Sequence, residues 1–336
     1  MIHFLKLIRF QNLFLIALTQ YAIRYGIIYP FVKASNFFEL QISHGQFALI
    51  VLSTVLVAAA GYIINDYFDN KIDFINKPQD VIVGKHIKRR VAMAWHVVFN
   101  VLGVSLGFYM GYKVGVYKLG VIHLLTTGLL WYYSSDFKRR ILVGNIVVSI
   151  LAALVPMLVI LYEMPTLVAK YRDVLIDLNY NFNAMLYIVA GFSVFAFLIT
   201  LIREIIKDME DVIGDKEFGR QTLPVVKGIA FTKWVTVSII VITLSILLPI
   251  QQMQWEANDK ASFFYVLFAV DLPLLILLFF VFKSSVKKDF SRASKMAKLI
   301  MFLGIAYTAV FAYLLLKPAN EPEPAPNVQI QINGGY

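Results

Sequence analysis

The chain has 336 residues, 59% of them hydrophobic, and a mean hydropathy of +0.71, far above the roughly 45–50% apolar content of soluble domains. The absence of cysteine excludes disulfides, thiolate nucleophiles, cysteine-ligated zinc and iron–sulfur clusters. In so apolar a chain, a net charge of +10 reads as lysine and arginine held in cytoplasmic loops, not as a nucleic-acid surface.

In chain order, Met1 to Arg9 is a short basic amphipathic lead. Nine apolar segments follow, at about 10–32, 46–64, 91–112, 115–134, 141–162, 184–202, 231–250, 262–282 and 294–316. Each approaches or exceeds the ~18 residues that mark a membrane span, so the pattern predicts an all-α polytopic membrane protein with nine transmembrane helices. No short hydrophobic segment precedes a small-residue cleavage site, and no removable signal peptide is expected. Residues 1–316 read as a single transmembrane domain. The tail from Lys317 to Tyr336 carries four of the eleven prolines and is expected to be disordered. His3, His44, His86, His96 and His123 show no ligand spacing and read as structural. Gly103, Gly107 and Gly111 repeat at i, i+4, a spacing suited to close helix packing.

Charge sets the expected topology. With the N-terminus inside, 22 of the 31 Lys and Arg fall in inner segments (1–9, 65–90, 135–140, 203–229 and 283–298). Seven fall in outer ones, and Arg24 and Lys233 lie within spans. This bias predicts a cytoplasmic N-terminus and an extracytoplasmic C-terminus. Arg24 in the first span and Asp271 in the eighth are costly there, at least about 2.5–3.5 kcal/mol for an unpaired charge near mid-membrane. Arg24 either lines a cavity or marks a later start of the first helix. Asp271 has no evident partner in the sequence.

Two acidic clusters each follow an apolar segment. Asn65, Asp69 and Asp73 stand at i, i+4, i+8, with Asp66 beside them. Asp208, Asp211 and Asp215 stand at i, i+3, i+7. On a helix each set shares a face, where like charges destabilise unless a cation gathers them. A single cluster reads equally as a solvated loop. Two at the same kind of helix end favour hard-oxygen sites that face each other and hold Mg²⁺ with a diphosphate at the cytoplasmic surface. A cation-coupled transporter is the reading from another class, but it calls for acids at bilayer mid-depth.

The motifs resemble those of a known family. Asn65-Asp66-x-x-Asp69-x-x-x-Asp73, with Ile75-Asn76-Lys77-Pro78, is similar to the first signature of the UbiA superfamily of intramembrane prenyltransferases. Arg203-Glu204 through Lys207-Asp208, Asp211 and Asp215, then Gly219-Arg220-Gln221-Thr222-Leu223-Pro224, is similar to the second. Tyr133-Ser134-x-x-x-Lys138, Gly144-Asn145 and the early Arg9-x-x-Asn12 fit as well. The resemblance implies a helical bundle around a central cavity open to lipid, in a bacterial or archaeal cell membrane, with the active site facing the cytoplasm. It implies Mg²⁺-dependent transfer of a prenyl group from a prenyl diphosphate to a lipophilic acceptor. It also implies one Mg²⁺ on Asn65 and Asp69, supported by Asp66 or Asp73, and a second on Asp211 and Asp215, supported by Asp208. Lys138 and Arg9 would contact phosphate, with Lys207 and Arg220 as further candidates, and Asn12 and Tyr133 would complete the pocket. Arg203 and Glu204 also read as partners of neighbouring side chains.

The finer wording resembles the branch that transfers geranylgeranyl groups to glycerol-phosphate ether lipids. In that branch the acceptor is an alcohol, and Asp66 or Asp208 would take its proton. The stretch from Gln79 to Gly84 departs from the branch by lacking an arginine, for which Lys85 or Lys88 would substitute. The alternative acceptor is an aromatic quinone precursor.

Overall fold

The computed structural model describes residues 2–35, 37–76, 78–79 and 81–317. Regular structure among them is helical, apart from a bridge between Val83 and Ile87. A short α1 (Ile2–Leu7) precedes α2 (Phe10–Ala34), α3 (His44–Asn76), α4 (Arg89–Lys113), α5 (Leu119–Ser135) and α6 (Val143–Lys170). The short α7 (Arg172–Asp177) leads into α8 (Asn183–Glu210), and the short α9 (Val212–Glu217) into α10 (Leu223–Glu256). α11 (Lys260–Lys283) and α12 (Lys287–Leu316) follow. The tail beyond Lys317 and the signature residue Lys77 lie outside the described residues.

Eight of these helices are long and apolar enough to cross a membrane: α2, α3, α4, α6, α8, α10, α11 and α12. α5, the fourth apolar segment of the sequence, has 17 residues. Large apolar side chains stay exposed on the outer faces, such as Trp234 at 62% and Phe268 at 61%. A soluble protein rarely leaves so much apolar surface open, whereas a lipid-facing surface requires it.

Small residues set the helix spacing. A Cβ on Gly103 would stand 2.8 Å from Val57 Cγ2, and one on Gly107 2.5 Å from His123 Cδ2. Close packing is therefore what these glycines provide. His123 is buried between the Ser53 hydroxyl (3.1 Å) and the Tyr162 hydroxyl (3.2 Å), and His96 meets the Ala60 carbonyl at 3.0 Å. Both are structural, as their spacing implied.

Two helices contain π turns, Arg24–Ile28 in α2 and Leu267–Asp271 in α11. Each is followed by a proline, Pro30 or Pro273. Proline has no N–H to donate and crowds the carbonyl four residues earlier, and the wider turn accommodates both effects. The mid-span charges sit at these turns, and neither sequence alternative for Arg24 holds. Arg24 is buried and pairs with Glu163, Nε to Oε1 at 2.7 Å, away from the cavity wall described below. Glu163 belongs to α6, so this helix runs past the expected apolar segment 141–162 and on to Lys170. Asp271 accepts a hydrogen bond from Gln251 of α10.

Candidate active site

The first acidic cluster sits on the last turns of α3, as the extension of a spanning helix and not in a loop. Asn65 and Asp69 are buried, Asp66 and Asp73 half-buried, and all four line one cavity of about 950 Å³. This volume lies at the upper end of the ~300–1,000 Å³ usual for ligand sites. Its polar end also carries Arg9, Asn12, Tyr133, Lys138, Lys207 and Asp211. The other walls are mainly apolar, with Val57, Leu151, Leu158, Phe192, Met301 and Ile305 from α3, α6, α8 and α12, interspersed with threonines such as Thr54 and Thr200.

The second cluster departs from the expected single helical face. α8 ends at Glu210, Asp211 leaves the helix (φ −101, ψ 9), and Asp215 lies on the separate α9. α9 docks on the end of α3 through Gly214, whose N–H donates to Asn76 Oδ1 at 3.1 Å. A Cβ at Gly214 would fall 2.5 Å from that oxygen, so a larger residue there would push the Asn76 amide out of this contact. The two motifs therefore meet.

Basic side chains join them. Arg220 follows α9 after a turn that Gly219 makes with a positive φ of 68, and it is buried. Its guanidinium donates to Asp215 Oδ1 at 3.2 Å and to Asp69 of the first cluster. Burial works against the Arg220 charge, but Asp69 and Asp215 outweigh it and hold the guanidinium above its ordinary value. Burial pushes the Asp215 carboxyl up, more than Arg220 and Lys138 pull it down. Lys138 stands on the turn Phe137–Arg139 after α5 and donates to Asn65 Oδ1 at 3.0 Å and to Asp69. Gly144 supports that turn from the start of α6, since a Cβ there would reach Lys138 Cα at 2.8 Å. Gln221 N–H bonds the Arg139 carbonyl at 2.9 Å, tying the Lys138 and Arg220 turns together.

Arg9 breaks the chain between α1 and α2 in a left-handed conformation (φ 50). Its guanidinium meets Asp66 Oδ1 at 2.9 Å and lies over the Tyr62 ring at 5.0 Å. Burial opposes its charge, yet Asp66 and Tyr62 keep it above the ordinary arginine value. Glu204 pairs with Arg203 at 2.6 Å and Lys207 at 3.3 Å, as neighbours on α8.

The cavity thus gathers ten of the thirteen expected site residues. Asp208, Asp215 and Arg220 stand behind its wall. Asp208 accepts from Asn145 at 2.8 Å and buttresses the start of α6. Among the described residues the wall includes neither Lys85 nor Lys88. Sequence reasoning missed Lys298, which lines the cavity from α12 and donates to Asn12 Oδ1 at 2.9 Å. Its signal is a lysine inside the ninth apolar segment, where the inner charged stretch 283–298 overlaps it.

Among the described residues, no three His, Asp or Glu side chains form a ready ion cage. The donors are nonetheless all oxygens, drawn from two helix ends that Arg220 bridges. That set fits Mg²⁺, which takes one or two carboxylates together with waters and substrate phosphates in preference to an all-protein cage.

The UbiA prenyltransferase family matches residues 31–305. The chain belongs to that family. As a UbiA prenyltransferase it is most usefully set beside relatives called digeranylgeranylglyceryl phosphate synthase. It is 30% identical to that of Saccharolobus solfataricus over 315 residues, 93% of this chain and 95% of the relative. It is 28% identical to that of Methanosphaera stadtmanae over 261 residues, 78% of this chain and 86% of the relative. With the Methanothermobacter thermautotrophicus protein it shares 34% over 191 residues, 54% of this chain but only 57% of that relative. Among solved structures, one concerning digeranylgeranylglyceryl phosphate synthase in membranes has a TM-score of 0.55 at 24% identity, covering 92% of this chain and 97% of that one. A UbiA homolog from Archaeoglobus fulgidus bound to GPP and Mg²⁺ has a TM-score of 0.56 at 17% identity, covering 92% and 99%. At these identities the structural likeness shows the fold.

Proposed function

We propose that this prenyltransferase moves a geranylgeranyl group from geranylgeranyl diphosphate to the free hydroxyl of a glycerol-phosphate ether lipid within the membrane. The observation that carries the reading is the junction of two acidic motifs, clasped by Lys138 and Arg220, at the polar end of a cavity with apolar walls. The names borne by the full-length relatives support the acceptor.

The allylic C–O bond breaks and pyrophosphate leaves with the electron pair. Negative charge grows on the departing oxygens, where Arg9 and Lys138 stand to meet it. Mg²⁺, held by Asn65, Asp69, Asp211 and Asp215 with Asp66, Asp73 and Asp208 in support, would supply further charge neutralisation. The acceptor hydroxyl oxygen bonds the allylic carbon, and its proton passes to a carboxylate. Asp66 is better placed for this than Asp208, because it lines the cavity. An oxonium is acidic enough to protonate even an ion-paired carboxylate. Lys207 and Tyr133 complete the wall, Asn12 orients Lys298, and Arg220 acts by holding Asp69 and Asp215. The apolar walls keep water from the cationic carbon.

In this reading residues 1–316 form one nine-span domain of an integral cell-membrane protein. α5, fourth in chain order, adds the one span beyond the eight, about 25 Å long at ~1.5 Å per residue, a modest mismatch with a ~30 Å hydrocarbon core. The loop charges put the N-terminus and the active site on the cytoplasmic side and the tail outside.

Pyrophosphate release from geranylgeranyl diphosphate tests the function, with Mg²⁺ and either geranylgeranylglyceryl phosphate or an aromatic acid as acceptor. Release and a new ether lipid are expected with the glycerol phosphate. Release with the aromatic acid alone would move the function to a quinone precursor. Asp69→Ala and Asp215→Ala are each expected to abolish turnover in folded protein, and normal turnover in either would remove the two-cluster site.

A further inference from the structure

We propose that Lys298, with Arg203 on the wall of the same cavity, forms a second anion subsite that reads the acceptor's phosphate monoester. The proposal rests on the functional reading above and names how that acceptor is held.

Lys6 lines the cavity as an exposed side chain, and among the half-buried cations charge pairing singles out Lys298. Arg9 is committed to Asp66, Lys138 to Asp69, and Arg203 and Lys207 share Glu204. Among the described residues Lys298 meets no carboxylate, and its hydrogen-bond partner is the neutral Asn12 amide oxygen. An ammonium has three donors, and a half-buried one facing apolar walls is costly without a counter-charge. Arg203 lines the same cavity and its charge acts on Lys298, while Glu204 answers Arg203 and Lys207 and not Lys298, so positive charge facing this space is in surplus. That surplus suits an arriving dianion.

Position selects which anion. The diphosphate cations Arg9 and Lys138 cluster against α3, whereas Lys298 projects from α12. Lys298 also lines a second recess of about 390 Å³ between α2 and α12, walled by Phe14, Leu18, Leu299 and Phe302. Gln11, Leu15 and Lys298 border both spaces, so the recess abuts the cavity. Exposed Lys295 lies one turn earlier on the same recess. A lipid acceptor carries an apolar chain and one phosphate head. An apolar seam with a lysine at its inner end matches those two parts, and it keeps the monophosphate off the cations that serve the leaving group.

The test compares two acceptors on full-length protein in lipid nanodiscs: geranylgeranylglyceryl phosphate and the same lipid lacking its phosphate. The wild type is expected to prefer the phosphate form strongly. Lys298→Gln is expected to lower kcat/KM for that form about 10- to 100-fold, the range of one charge-assisted hydrogen bond. It should leave the phosphate-free lipid within about twofold and KM for geranylgeranyl diphosphate unchanged, and Lys298→Arg should retain most of the preference. Equal losses on both acceptors, or a raised KM for the diphosphate, would overturn the inference alone. A wild type that uses an aromatic carboxylate and neither glycerol lipid would overturn the functional reading and this inference with it.

Discussion

The buried Arg24–Glu163 pair gives the sharpest test of how the bundle is held. The two side chains are 1% and 0% exposed, and their Nε–Oε1 contact is 2.7 Å. Arg24 also donates to the Ile42 carbonyl and to the Tyr25 hydroxyl, and it lies 4.3 Å from the Phe47 ring centre. Breaking a buried pair from one side costs about 3–5 kcal/mol, because the other charge is left uncompensated. Glu163→Gln keeps an oxygen acceptor, so about 3 kcal/mol is expected. Arg24→Met should cost less, because a stranded carboxyl can take up a proton and a guanidinium cannot lose one. Arg24→Met with Glu163→Leu removes both charges and should be more stable than Glu163→Gln alone. At ~2 °C per kcal/mol, the low end for large domains, Glu163→Gln would melt about 6 °C below wild type. The assay is thermal unfolding of purified protein in one lipid and detergent mixture. Because neither residue lines the cavity, turnover measured well below the melting point should change less than about twofold. A Glu163→Gln melt within about 1 °C of wild type would refute the reasoning. So would a double-variant loss equal to the sum of the single losses.

Other expectations follow from the same contacts. Arg220→Met strands Asp215 and leaves Asp69 to Lys138 alone, so Mg²⁺ should raise its melting temperature more than it raises that of wild type, and equal shifts would deny Arg220 the clasp role. Gly214→Ala forces a Cβ against Asn76, an overpacking of about 1–3 kcal/mol, and should raise the Mg²⁺ needed for half-maximal turnover several-fold. An unchanged Mg²⁺ titration would show that the motif junction tolerates the methyl group. A reporter fused after Tyr336 should be active outside the cytoplasm, and cytoplasmic activity would reverse the topology drawn from the loop charges.

Much of this site was legible because acids are rare in so apolar a chain. Asn65, Asp66, Asp69 and Asp73 announced a helical face, and α3 presents all four to the cavity. The second cluster misled in its geometry, because helical spacing cannot reveal that the chain leaves the helix at Asp211. Glu163 misled at a distance. As the first charge after an apolar run it marked the end of a span, yet Arg24 buries it and α6 continues to Lys170. Arg220 illustrates the same limit. Its charge suited a phosphate, and only the packing of α9 against α3 shows that two carboxylates already claim it.

The packing divides these tasks among separate parts of the bundle. One buried cluster joins α1 and the start of α2 to α3, α4 and the 82–83 turn, and so fixes Arg9 against the first motif. Another joins α8 to α10, α11 and α12, and so carries the end of α8 and Lys298. The acidic motifs meet where these parts touch, through Asn76, Gly214 and Arg220. The seam between α2 and α12 shares none of those three residues. Substitutions along that seam can therefore retune which lipid is held without disturbing the junction of the motifs. A relative that keeps both acidic motifs need not keep the same acceptor, and acceptor identity should track Lys298 and its neighbours on α12 more closely than Asp69 or Asp215.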